Sequence, residues 1–245
     1  MMESLFLTQP YLQQSKAVIT DIHENGALRL DRSLFYYESG GQPGDKGVIT
    51  RVHDAYQLAI ADCRLLDDGQ VWLIPNDDNQ MSIGHPMNIG DEVDCTLDWQ
   101  HRYPLMQMHT ALHLLCALVP CKVNGCQVGN PKSRIDFHVG DDGLDKEELQ
   151  KRLDDLLSSK AKSEMIYYEE ATLDNNPDLV RTMSVKPPRG QGTIRFLRIF
   201  DGDQQIDIQP CGGTHVASLS EIPPLRIGKI ESKGGGNKRI NLHFA

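Results

Sequence analysis

The first ninety-seven residues alternate apolar and polar positions in short runs. The runs Ala17–Asp21, Ala27–Leu30, Leu34–Tyr37, Gly47–His53, Gln57–Leu66, Gln70–Ile74 and Asp91–Leu97 read as strands. Between them lie turn residues: Glu24-Asn25-Gly26, Asp67-Asp68-Gly69 and Pro75-Asn76-Asp77-Asp78. Several short strands at this spacing predict a small β-barrel or sandwich. Near Asp98 the pattern changes. Tyr103–Leu118 has helical length and good helix formers, with Pro104 placed in a first turn and Pro120 as the stop. Ser133–Val139 alternates like a strand. A second helix starts near Asp145 and carries Leu149, Leu153, Leu156 and Leu157 on one stripe, with an acidic start and Lys160 and Lys162 at its end. Met165–Glu170, Thr193–Phe200, Leu225–Ser232 and Arg239–Phe244 read as further strands, the last two joined by Gly234-Gly235-Gly236. The expected fold class is α+β, with a β-barrel domain over residues 1–97 and an α+β domain over 98–245.

Composition fits a globular chain of 245 residues, with 39% hydrophobic and 24% charged positions. No apolar run reaches the roughly 18 residues that span a bilayer, and the N-terminus lacks the basic start and long apolar core of a secretory signal. A cytoplasmic protein with no membrane association is expected. The six cysteines, Cys63, Cys95, Cys116, Cys121, Cys126 and Cys211, then read as reduced thiols. The net charge of −9 argues against broad nucleic-acid binding, but its distribution changes that picture. From residue 181 onward there are ten Lys/Arg against five Asp/Glu, so a local basic region can still meet phosphates.

Two residue pairs carry chemistry. His109 and His113 in HTALH are four apart, which puts both imidazoles on one helix face. Cys211 and His215 in CGGTH have the same spacing, with Gly212 and Gly213 allowing a tight turn between them. Imidazole and thiolate are the donors zinc prefers, and four complete a tetrahedron. The same residues also suit a buried thiol beside core histidines. A zinc protease is disfavoured, because its helix needs a Glu after the first His and Thr110 stands there.

HTALHLL at His109–Leu115 and CGGTHV at Cys211–Val216 resemble the editing domain of alanyl-tRNA synthetase and its free-standing relatives, the AlaX proteins. Three further stretches fit the same family in order: SGGQPGDKG at Ser39–Gly47, SRIDF at Ser133–Phe137 and KGGGNKRI at Lys233–Ile240. One departure is Ser39, where many relatives carry a further glycine. The chain is too short for an aminoacylation domain as well, so the medium-length free-standing form is the expectation.

The resemblance implies a zinc-dependent hydrolase that removes the wrong amino acid from tRNA(Ala), with Ser-tRNA(Ala) as the substrate and Gly-tRNA(Ala) as a second candidate. Such correction is needed because an alanine pocket discriminates against serine by only about 10². The implied ligands are His109, His113, Cys211 and His215. Gln42 and Thr214 are implied next to the aminoacyl group, with Gly40 and Gly41 shaping the loop. Lys233, Lys238 and Arg239 are implied to meet tRNA phosphates, with Arg181, Lys186 and Arg189 as a second basic group. No nicotinamide or flavin cofactor is expected. Arg134 and Asp136, two apart on a strand, read as a structural pair. The rival readings are a deacylase for another misacylated tRNA such as Ser-tRNA(Thr), and a zinc-stabilised RNA-binding module without turnover.

Overall fold

The structure is a computed structural model that describes residues 2–76, 86–140, 143–176, 179–181, 190 and 192–245. By its internal contacts the chain divides into two compact units, Met1–Ser39 with Pro43–Tyr103, and Gly40–Gln42 with Pro104–Ala245. Mixed strands and helices make the fold α+β, as expected from the patterning. No described helix is long and apolar enough to cross a membrane.

The first unit opens with β1 (Glu3–Ser4) and the short α1 (Leu5–Thr8), then β2 (Gln14–Ile22), β3 (Leu28–Leu30) and β4 (Arg32–Ser33). β5 (Gly47–Arg51), β6 (Gln57–Leu65), β7 (Val71–Pro75) and β8 (Glu92–Leu97) follow. Six of these close a barrel in the order β2-β3-β7-β6-β5-β8. The alternation is clear on β8, where Val93, Cys95 and Leu97 point inward and Glu92, Asp94 and Thr96 outward. Leu28, Ile49, Leu58, Leu73 and Val93 fill the interior. The turns form where the glycines predicted them, with Gly26 at φ 81° and Gly69 at φ 69° in the left-handed region. Asp77 and Asp78 lie outside the described residues.

Leu34–Tyr37, expected as a strand, is not one. It is a buried irregular segment whose backbone is held by side chains. The Asp45 carboxylate accepts from the Tyr36 amide, and the Arg102 guanidinium donates to the Leu34 carbonyl at 2.9 Å. Arg102 and Asp45 are themselves a fully buried ion pair. Hydrophobicity alone cannot distinguish a ladder from a segment satisfied in this way.

The helix α2 (Trp99–Leu118) begins a turn earlier than expected, because Asp98 caps it: its carboxylate accepts from the His101 amide at 3.1 Å. Pro104 therefore lies inside the helix and removes one backbone bond. From Leu105 to Cys116 every residue is buried. That explains why this stretch has no polar stripe.

The second unit continues with β9 (Lys122–Gln127), β10 (Lys132–His138), α3 (Lys146–Leu157), β11 (Lys162–Glu169) and α4 (Ala171–Asn175). After these come β12 (Thr193–Asp201), β13 (Gln204–Pro210), a 3-10 turn at Leu219–Glu221, β14 (Leu225–Ser232) and β15 (Asn237–Phe244). One antiparallel sheet has the order β14-β15-β10-β9 and another β11-β12-β13. Asp145 caps α3, accepting from Glu147 and Glu148, and Leu149 and Leu153 bury its apolar stripe. β9 and β13 had no counterpart in the patterning. β9 is polar and interrupted by Gly125. On β13 the buried positions are Asp207 and Gln209, while Ile206 and Ile208 are half-buried, so the usual apolar-in rule is inverted.

Candidate metal centre

His109 and His113 lie one turn apart on α2, and Cys211 and His215 bracket the turn after β13. Their donor atoms all fall within 4.8 Å of one another. Cys211 Sγ stands 3.2 Å from His215 Nε2 and 3.6 Å from His109 Nε2. All three imidazoles are buried. The turn itself hangs from β12: the Arg195 guanidinium donates to both the Cys211 and Gly213 carbonyls at 2.8 Å. Gly213 is required there. A Cβ would come within 2.2–2.4 Å of the His109 ring.

Each imidazole has its Nδ1 engaged away from the centre. His109 Nδ1 faces the Gln42 amide oxygen at 2.8 Å. His113 Nδ1 faces the Asp207 carboxylate at 3.1 Å. His215 Nδ1 faces the Thr110 hydroxyl at 3.2 Å. Thr110 spends its own proton on the Met106 carbonyl, so His215 is the donor in that pair. An acceptor at Nδ1 fixes the proton there and leaves Nε2 with its lone pair. Three such Nε2 atoms and one sulfur are the donor set and number that a tetrahedral zinc site takes.

The electrostatics suit ligation. Burial alone would raise the Cys211 thiol, but the His109 and His215 rings hold it well below the ordinary thiol range. Burial, with the nearby His109, brings His215 down to about 3 against the pull of Cys211, so it is neutral. His113 is the opposite case. Burial would lower it, yet its bonds to Asp207 and Cys211 push it up to about 10. Without an ion, this ring holds a proton that a metal would displace.

The other sequence-predicted residues are placed as follows. Gln42 and Thr214 are fully buried and bonded together, Gln42 Nε2 donating to Thr214 Oγ1 at 2.8 Å, while the Thr214 amide donates to Gln42 Oε1 at 3.2 Å. Gly40 and Gly41 have φ 57° and 85°, and a Cβ on Gly41 would meet the Cys126 carbonyl oxygen at 2.5 Å. Lys233, Lys238 and Arg239 lie on the β14–β15 hairpin. They are internally paired: Lys233 with Glu231 at 2.6 Å, Lys238 with Ser232 at 2.8 Å, and Arg239 with Asp136 through two 2.7 Å bonds. Asp136 also takes Arg134 at 3.4 Å. Arg181 turns inward to the Cys116 carbonyl, whereas Lys186 and Arg189 lie outside the described residues. Sequence reasoning missed Asp207, Gln209, Thr110 and Arg195. Only the two polar residues alternating on β13 left any signal, and that signal looks like a solvated strand.

Residues 194–241 match the family model described as the threonyl and alanyl tRNA synthetase second additional domain. The chain is 27% identical to an alanyl-tRNA editing protein AlaX-M of Methanosarcina barkeri, covering 98% of both chains. It is likewise 27% identical to the AlaX-M protein of Pyrococcus horikoshii, over 99% of this chain and 97% of that one. Similarity to the alanine–tRNA ligase of Pyrobaculum neutrophilum, at 29% identity, covers 96% of this chain but only 26% of the ligase. The chain is thus similar over nearly its full length to free-standing alanyl-tRNA editing proteins, as its motifs indicated.

Proposed function

We propose that this chain is a zinc-dependent aminoacyl-tRNA deacylase that edits tRNA(Ala) in trans, hydrolysing Ser-tRNA(Ala) and Gly-tRNA(Ala). The observation that carries it is the convergence of three imidazoles and one thiol, each imidazole with its Nδ1 already committed. The full-length similarity to proteins named for alanyl-tRNA editing supports the same reading.

His109, His113, Cys211 and His215 would hold the ion. Zinc, when bound, supplies Lewis-acid polarisation of an ester carbonyl. The chain's own residues prepare that chemistry. Gln42 and Thr110 orient His109 and His215, and Arg195 fixes the carbonyls of the ligand turn. Gln42 and Thr214 satisfy each other, so in this reading they shape the wall of the centre. An incoming serine hydroxyl would recruit one of them only by breaking their mutual bond. Four protein donors leave no open position on a tetrahedral ion. Catalysis on this scheme needs a fifth position or release of one donor. Of the four, Cys211 alone is half-buried, the three histidines being buried.

The test is deacylation of Ser-tRNA(Ala) and Gly-tRNA(Ala) beside Ala-tRNA(Ala) by the zinc-loaded chain, with a His109→Ala/His113→Ala control. Rapid loss of serine, slow loss of alanine and no loss in the control are expected. Retention of both seryl and glycyl esters by a folded, zinc-loaded chain would overturn the proposal. Faster clearance of Ser-tRNA(Thr) would reassign the substrate.

A further inference from the structure

The three imidazoles do not share one kind of support. His109 leans on a neutral amide and His215 on a neutral hydroxyl, whereas His113 leans on a carboxylate. That carboxylate, Asp207, is itself deeply set, with its side chain wholly buried. It is braced from two directions. Gln209 Nε2 donates to both of its oxygens, at 2.9 and 2.8 Å. The Arg181 guanidinium stands 3.9 Å from its other oxygen, and Arg181 is held in turn by the Cys116 carbonyl. Asp207 and Gln209 occupy the inward positions of β13, which leads into Cys211 within two residues of Gln209. The same strand therefore carries the prop of one ligand and delivers another.

A buried carboxylate is costly unless its charge is compensated and its oxygens are satisfied. Two amide hydrogen bonds and a guanidinium supply part of that compensation; the imidazole supplies the rest. We infer that Asp207 is a positioning residue of the metal centre: braced by Gln209 and Arg181, it accepts the hydrogen bond from His113 Nδ1–H and so presents that ring's Nε2 to the ion. The inference rests on the reading of the four-residue cluster as a zinc site. Carboxylate partners of this kind raise ligand basicity, and their loss typically weakens metal binding by about ten- to hundredfold.

The experiment measures zinc affinity of the full-length chain by competition with a chromophoric chelator. The variants are Asp207→Asn, Asp207→Ala, His113→Ala and the His113→Ala/Asp207→Ala double. Asp207→Ala should bind zinc about ten- to hundredfold more weakly than wild type, with Asp207→Asn in between. In the His113→Ala background, removing Asp207 should change affinity little, because its effect passes through that ring. Circular dichroism of the apo proteins checks folding, and the near-isosteric Asp207→Asn carries the test should the alanine variant not fold. Wild-type affinity in both single variants would overturn the inference, as would an undiminished loss in the His113→Ala background. Wild-type chain that takes up no zinc would overturn the metal reading and the inference with it. Zinc uptake without ester hydrolysis would overturn only the proposed activity.

Discussion

Six thiols are spread through the chain, and their surroundings sort them. Burial pushes Cys95 up to about 12 and raises Cys63 and Cys116 as well, so these three are inert hydrophobes. Cys126, half-buried and bonded to the Gly40 carbonyl at 3.2 Å, is pushed up to about 11 by burial. Cys211 moves the other way. A mild alkylating reagent at neutral pH should therefore leave Cys63, Cys95 and Cys116 unmodified in the folded chain. Cys211 should be labelled quickly once a chelator is added and slowly when zinc is present, as read by peptide mass spectrometry. Equal labelling of Cys211 with and without zinc would contradict its role as a ligand. Gly213 is a second sensitive position. Gly213→Ala should disrupt the centre, because no rotamer relieves a Cβ placed against the His109 ring. Zinc affinity should fall by at least tenfold while the barrel's thermal transition is unchanged. The four clustered side chains were legible in the sequence because their spacing within each pair is local and their chemistry specific. Asp207 and Thr110 were not, because a partner's value depends on where its side chain ends, which spacing does not encode.

Elements were legible where burial is one-sided. The barrel strands alternate because one face is dry and the other wet, and α3 shows its stripe for the same reason. α2 hides its register from Leu105 to Cys116 because that stretch is buried all round, and β13 inverts the pattern because its inward side faces polar partners of the centre. Leu34–Tyr37 shows the opposite error, an apolar run whose backbone is satisfied by Asp45 and Arg102 in place of a neighbouring strand. That arrangement makes the ion pair costly to break. Arg102→Met should destabilise the first unit by about 3–5 kcal/mol, since it leaves a buried carboxylate uncompensated. Urea denaturation measures this directly. A loss under 1 kcal/mol would mean that water or another donor replaces the guanidinium. The Asp145 cap of α3 is a milder case; Asp145→Ala should cost about 1 kcal/mol.

At the scale of the whole molecule, the compact units divide at Tyr103/Pro104, and Gly40–Gln42 is counted with the later residues. A change of character near residue 97 follows the end of the last barrel strand, yet it separates Gln42 from the ring it supports. A fragment of residues 98–245, made alone, keeps all four donors but leaves His109 Nδ1 without its amide partner. Its zinc affinity should be about tenfold or more below that of the full chain, by the same chelator competition. Equal affinity would show that Gln42 is dispensable for holding the ion.

The donors arrive in two pairs separated by about a hundred positions, and this has a consequence for the order of events on the ribosome. Gln42 emerges first, then His109 and His113, which alone make a loose two-point grip. Cys211 and His215 follow about a hundred residues later, and β15, which pairs with β10, follows them. A half-synthesised chain therefore has neither a tight hold on an ion nor a finished sheet around it. A chain cut short before Cys211 therefore holds only two of the four clustered side chains.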